Sequence, residues 1–351
     1  MSGAWDWGPA EVAAHVARVL PGGGAVGTPR RLSGGLLNVV WRVPLASGSV
    51  VAKIAPPFVA ALPDVPLDPA RQRVEAAALA AFAPGGPLAD LAGEAVRPPR
   101  PLHHSPEDSV LVMEDVGDVP SLDAALADRP GGAAAWGKRL GRFVGRLHAV
   151  PVTDALRAAF ENPAAQETRL EVQYRSTGDA LRAAGVPDAD SLGAEAVALG
   201  ERFLERGRCL IQGDLWPPSV LVTPDGLRVI DWELAHVGVP AQDLGHLGAH
   251  LWMLAHRTAA ADAARAAWAA FLEGYVEGVG PERSRLLAGD AVSDAVRHLG
   301  CEVLARAVGP FTGGSAYDGL APDAAPVCEA AVFAARALRQ PDDFPLFDAL
   351  R

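Results

Sequence analysis

The stretch LIQGDLWPPSVLV, residues 210 to 222, sets one carboxylate, Asp214, and one hydroxyl, Ser219, between two β-prone apolar ends. Its paired prolines break both helix and strand, so the two groups ride on a stiff loop. Further on, VIDWE ends a strand on Asp231. Two acids brought to the same end of a domain repel unless positive charge sits between them, and a divalent metal carrying phosphate oxygens fills that role. Asp231 and Glu233 alternate, so both could face one ion if the backbone turns at Trp232. Lys53 is the only lysine in the first 137 residues and lies inside the apolar run VVAKIA. Such a lysine either snorkels from an edge strand or points into a cleft to meet an anion. Glu75, on the next helix, is a partner able to fix its direction. Gly34 and Gly35 let backbone approach a ligand closely, or simply open a hairpin.

The elements that must carry these groups follow from hydrophobic period and turn residues. After an opening helix that stops near LPGGG, RLSGGLLNVVWRVPL and SVVAKIA read as two strands of a hairpin around ASGS. A proline-broken loop, PPFVAALPDVPLDP, leads to the helix ARQRVEAAALAAF, with Val74, Ala78, Ala81 and Phe82 on one face. Two more strands flank SPEDS. From SLDAALAD onward the pattern is mostly helical. The exception is the 210–222 stretch with GLRVIDWE, which reads as strand, loop and a second strand across TPDG. The expected organisation is an α+β chain: a β-rich domain over residues 1–117 with one crossing helix, and a helical domain over 118–351 carrying the loops.

Composition narrows the function classes. With 31 basic against 42 acidic residues and a net charge of -11, the chain lacks the basic face that nucleic acid or anionic membrane requires. Cys209, Cys301 and Cys328 are too few and too scattered for a disulfide framework or a paired-cysteine zinc site. No segment has the apolar length of a membrane span, and a cytoplasmic location is expected. His246 and His250 have the spacing of a helical metal pair, but no third ligand stands out, and a structural role is expected.

Glycine-rich hairpin, strand lysine, helix glutamate, connecting strand, helical domain, "GD" loop and "ID" strand end follow in that order. The chain resembles the aminoglycoside phosphotransferase and choline kinase superfamily, and within it the methylthioribose kinases. GGLLNVVWRV is similar to that family's nucleotide loop, AKIAPPFV to its lysine strand, RVEAAAL to its glutamate helix and VLVMEDV to its hinge. The resemblance implies a two-lobed protein-kinase-like fold and a magnesium-dependent kinase using ATP or GTP. It implies Asp214 as catalytic base, and Ser219, Asp231 and Glu233 at the metal. Nucleotide contacts would come from Gly34, Gly35, Asn38, Lys53 and Glu75, with the backbone of Glu114 and Val116 holding the base. Asp243, in QDLG, resembles the aspartate that braces the catalytic loop. The chain departs from the pattern at Gln212, where most members have histidine, and at Ser219, where most have asparagine. Asparagine at 219 is therefore expected to be tolerated. Ala305 precedes Arg306 where methylthioribose kinases carry an arginine pair.

The expected activity is phosphoryl transfer to a hydroxyl of a small sugar-containing molecule, with an antibiotic as the preferred acceptor and hence resistance as the role. Trp216, Trp232 and Arg306 are the candidate acceptor contacts, the tryptophans equally suited to core packing. A metabolic sugar kinase and a catalytically silent nucleotide-binding module are the alternatives. A homodimer is among the expected assemblies.

Overall fold

The computed structural model describes residues 3–22, 24–33, 37–60, 62–309 and 311–351. The expected nucleotide-loop glycines Gly34 and Gly35 lie outside the described residues. The chain forms two compact units that interleave in sequence. Unit 1 comprises Met1–Gly93, Arg97–Val119 and Arg228–Leu234; unit 2 comprises Glu94–Val96, Pro120–Leu227 and Ala235–Arg351. The single division expected after residue 117 thus becomes an exchange, because the segment bearing Asp231 and Glu233 packs with the N-terminal unit. Asp231 and Glu233 bond to side chains of that unit, which is the physical reason.

In unit 1, helix α1 (Pro9–Val19) precedes strands β1 (Arg30–Arg31), β2 (Val39–Leu45) and β3 (Gly48–Ile54). The proline-rich segment expected as a bare loop holds a small hairpin, β4 (Phe58–Val59) with β5 (Leu62–Pro66). Helix α2 (Arg71–Phe82), strand β6 (Val96–Arg97), and strands β7 (Pro101–Ser105) and β8 (Val110–Glu114) follow. The main sheet runs in the order β1-β2-β3-β8-β7, each neighbouring pair antiparallel. Strand period does the sorting. Val39, Trp41 and Val43 of β2, Ala52 and Ile54 of β3 and Val112 of β8 share a core with Val12 and Val16 of α1. Lys53, between Ala52 and Ile54, therefore projects from the opposite face, where α2 buries Val74, Ala78, Ala81 and Phe82.

Unit 2 is mainly helical: α3 (Leu122–Asp128), α4 (Ala133–Ala149), α5 (Asp154–Ala159), α6 (Pro163–Arg169), α7 (Thr177–Ala183) and α8 (Ala189–Phe203). Strands β9 (Cys209–Ile211), β10 (Val220–Val222) and β12 (His236–Gly238) come next, while β11 (Leu227–Val229) belongs to unit 1 from Arg228 onward. Helices α9 (Pro240–Arg257), α10 (Ala261–Val279), α11 (Arg283–Leu286), α12 (Ala291–Ala307) and α13 (Ala325–Arg339) complete it. β9 pairs antiparallel with β12, a partner the sequence reading had not identified. Helices α4 and α10 meet through glycines at every fourth position. A Cβ on Gly137, Gly141 or Gly145 would fall 2.1, 2.0 or 2.4 Å from a backbone carbonyl oxygen of α10, so only hydrogen fits there. Among the described residues no helix is long and apolar enough to cross a membrane.

Candidate active site

In unit 1 the β3 lysine meets acids from two elements. Lys53 Nζ lies 2.8 Å from Glu75 of α2, 2.7 Å from Asp231 and 3.3 Å from Glu233. The snorkelling alternative is thereby excluded: Lys53 is buried and paired, and Gln72 holds its carbonyl at 2.7 Å. Burial alone would lower the lysine pKa, but Asp231, Glu233 and Glu75 outweigh it and hold the ammonium well above its usual range. Burial pushes the Glu75 carboxyl up to about 7 against the pull of Lys53, with Glu233 and Asp231 adding to the rise. Asp231 follows β11 with φ 59°, the left-handed region that aspartate tolerates better than most residues. Its side chain is 41% exposed, whereas those of Glu75 and Glu233 are 3% and 5%. Three carboxylates thus share two cations, Lys53 and Arg71, and the excess negative charge reaches solvent at Asp231. That donor set fits a hard divalent ion bound through one carboxylate and phosphate oxygens.

Three expectations in this unit need correction. Glu233 is not open to a metal: Arg71 Nε donates to Oε2 at 2.7 Å and Asn38 Nδ2 to Oε1 at 2.6 Å. Asn38 is bound in the same bracket, its Oδ1 accepting from Arg71 at 3.0 Å, so it holds Glu233 rather than nucleotide. Trp232 is fully buried, donates from Nε1 to the Val229 carbonyl at 2.9 Å and packs on Phe82, which makes it core and not an acceptor contact. At the end of β8, the Glu114 carboxylate takes both Arg97 nitrogens at 2.6 and 2.7 Å. Its N–H donates to the Arg100 carbonyl at 2.9 Å, so a nucleotide base would have to be met by the Glu114 carbonyl and by Val116.

In unit 2 the Asp214 loop is fixed from beneath. Asp243 of α9, fully buried, accepts the Gln212 N–H and the Gly213 N–H, each at 2.9 Å. His148 of α4 donates to the same carboxylate at 3.1 Å and meets the Tyr275 hydroxyl of α10 through its other nitrogen at 3.0 Å. Gly213 sits at φ 87°, a conformation that glycine alone adopts freely. Gln212 turns its side-chain carbonyl onto the Asp214 N–H at 2.7 Å, so this departure from the family pattern has a bracing task. Ser219, the expected metal ligand, is fully buried and folds back on its own turn. Its hydroxyl donates to the Trp216 carbonyl at 2.8 Å and accepts the Trp216 N–H at 3.3 Å. An oxygen so placed cannot reach an ion unless the turn opens.

Asp214 Oδ1 faces Arg169 at 3.1 Å and His246 Nε2 at 3.3 Å, and the side chain keeps 22% of its surface exposed. Burial would raise its pKa, but His246, Arg169 and Arg306 prevail and hold the carboxyl well below the usual range. Behind it, ligand atoms of His246, His250 and Glu302 lie within 4.8 Å of one another, so Glu302 of α12 supplies the third ligand that the sequence did not reveal. Glu302 already accepts from Arg306 at 2.8 Å, Gln173 at 2.7 Å and His250 at 2.9 Å. Burial lowers the His250 imidazole to about 4, with Glu302 opposing. Asp214 and Glu302 are balanced by Arg169 and Arg306, so this cluster needs no ion, in contrast to the acids around Lys53. Arg306 also lies 5.2 Å over the half-buried ring of Trp216, whose edge meets His250.

The sequence signals for Arg71, which was not singled out, and for the placement of the two histidines near Asp214 are helical spacings. Arg71 stands four residues before Glu75 on α2, and His246 and His250 stand three and seven after Asp243 on α9. One face of each helix thus carries the set.

A model of the phosphotransferase enzyme family matches residues 28–287. The chain is 28% identical over 243 residues to 4-hydroxytryptamine kinase of Psilocybe cyanescens, an alignment covering 62% of this chain and 65% of that one. It is 28% identical over 242 residues to methylthioribose kinase of Pectobacterium atrosepticum, covering 62% and 58%. The chain therefore spans less than two thirds of the length of these relatives. A solved choline/ethanolamine kinase family protein from Mesorhizobium loti aligns over 97% of this chain and 98% of its own with a TM-score of 0.56 and 19% identity, which establishes a protein-kinase-like α+β fold. On the family model, which covers well over half of its length, the chain belongs to the phosphotransferase enzyme family.

Proposed function

We propose that this chain transfers the γ-phosphoryl group of a magnesium-bound nucleoside triphosphate to a hydroxyl of a small molecule. The observation that carries the reading is Asp214: its loop is pinned by Asp243, one carboxylate oxygen is held by Arg169 and His246, and the side chain stays partly exposed. A carboxylate so fixed can orient a hydroxyl and take its proton late, as a loose phosphoryl-transfer transition state requires. Lys53, held by Glu75, supplies the phosphate contact, and Asp231 is the carboxylate that would hold the metal. Magnesium, when bound, neutralises charge on the phosphate oxygens. Either ATP or GTP suits this reading.

The acceptor in this reading is a neutral or aromatic compound bearing a hydroxyl, including sugar-containing antibiotics and small metabolic sugars. The Glu302 carboxylate near Asp214 is already matched by Arg306, His250 and Gln173, which disfavours a polycationic aminoglycoside. Trp216 offers an aromatic edge. The relatives named for methylthioribose and 4-hydroxytryptamine are consistent with a small sugar or an aromatic hydroxyl compound. A silent nucleotide-binding module is the second reading, favoured by the burial of Ser219.

Incubation with ATP or GTP and a panel of methylthioribose, hydroxyindoles, macrolides and aminoglycosides, read by mass spectrometry for an added phosphate, tests the proposal. Phosphate on a neutral or aromatic acceptor supports it; transfer to aminoglycosides alone overturns the acceptor class. Nucleotide binding without any transfer favours the silent module.

A further inference from the structure

We infer that Arg71 occupies the place of a second divalent cation, so that the nucleotide is loaded with one metal ion held by Asp231. The inference deepens the reading above and concerns unit 1 alone. A guanidinium has five N–H donors. All five are matched: Nε donates to Glu233 Oε2 at 2.7 Å, one terminal nitrogen to the carbonyls of Pro56 and Asp68 at 3.1 and 2.9 Å, and the other to the Leu37 carbonyl and Asn38 Oδ1 at 2.9 and 3.0 Å.

Glu233 is the acid two residues beyond Asp231, which the family resemblance assigns to a second ion or its water. Both of its oxygens are engaged, Oε2 by Arg71 and Oε1 by Asn38 with Lys53 nearby, and its side chain is 5% exposed. Magnesium needs an oxygen at about 2.0–2.1 Å with room for waters around it. The permanently charged guanidinium fills that room and cannot leave by losing a proton. Removing it would strand the Leu37, Pro56 and Asp68 carbonyls in a buried setting. Arg71 therefore supplies fixed positive charge at Glu233 and ties that acid to the backbone at Leu37, just after the glycine-bearing segment. It is a positioning residue: it acts through Glu233 and Asn38.

Native mass spectrometry with Mn2+ and the non-hydrolysable analogues of ATP and GTP counts the ions directly. The wild type should carry one ion per bound nucleotide. Arg71→Met should free Glu233 and carry two, the double substitution Arg71→Met with Glu233→Gln should return to one, and Arg71→Lys, which keeps the charge, should remain at one. Two ions in the wild type, or one in a folded Arg71→Met, would overturn the assignment. The wild-type count decides even if Arg71→Met does not fold. Failure of the wild type to bind either nucleotide with Mn2+ would instead remove the phosphotransferase reading on which this one rests.

Discussion

Asp214, the base of the proposed reaction, is a carboxylate whose protonation is governed by neighbours more than by solvent. Burial opposes ionisation, but His246, Arg169 and Arg306 together overcome it and hold the carboxyl well below its usual range. Ser219 answers to the same loop. Because its side chain is fully buried and hydrogen-bonded at both ends to Trp216, Ser219→Asn should destabilise the chain by about 1–3 kcal/mol through overpacking. Calorimetric unfolding of the variant checks this, and an unchanged midpoint would restore the tolerance expected from sequence. The structure argues against that tolerance for a physical reason: residue type and family position advertise an oxygen donor, while the direction of the hydroxyl depends on turn geometry. Lys53 and Glu75 were legible because each is carried by a periodic element whose facing can be counted, whereas the brace of Asp243 came from the family resemblance alone. The bonds of Glu233 and Asn38 were not legible because their partner, Arg71, comes from a separate helix, and nothing in the spacing of that helix names them.

At the scale of elements, the close approach of α4 and α10 sets the Asp214 loop. Gly141 faces the Phe271 carbonyl, Gly145 faces that of Tyr275, and one turn on His148 meets the Tyr275 hydroxyl before bonding Asp243. Pushing these helices apart therefore disturbs the brace under residues 212 and 213. Gly141→Ala places a Cβ 2.0 Å from backbone and should destabilise by about 1–3 kcal/mol, whereas Gly131→Ala, which meets nothing within 4 Å, should be near neutral. Denaturant unfolding of the two variants makes the comparison; equal stabilities would contradict the packing account. The glycine spacing of α4 is plain in the sequence, yet its partner is not, since nothing in α4 names the helix that will lie against it. The pairing of β9 with β12 was hidden similarly: a three-residue strand gives too short an alternation to be counted.

For the whole molecule, the buried histidine cluster makes stability depend on pH. His250 titrates near 6.5 when unfolded and is lowered to about 4 when folded, by burial, with Glu302 opposing and His246 and Arg306 adding to the fall. The unfolded chain then binds more protons between those values, so the contribution is present above about 6.5 and is lost as pH falls towards about 4, at most about 3 kcal/mol. His250→Gln should flatten the rise of unfolding free energy between pH 5 and 7; an unchanged slope would remove His250 from that account. The central claim, phosphoryl transfer through Asp214, is tested most directly by comparing wild type and Asp214→Asn on the best acceptor from the panel, with nucleotide affinity measured alongside. The account predicts that kcat falls roughly 10²–10⁴-fold while nucleotide binding is nearly unchanged. Transfer by Asp214→Asn at the wild-type rate would contradict it.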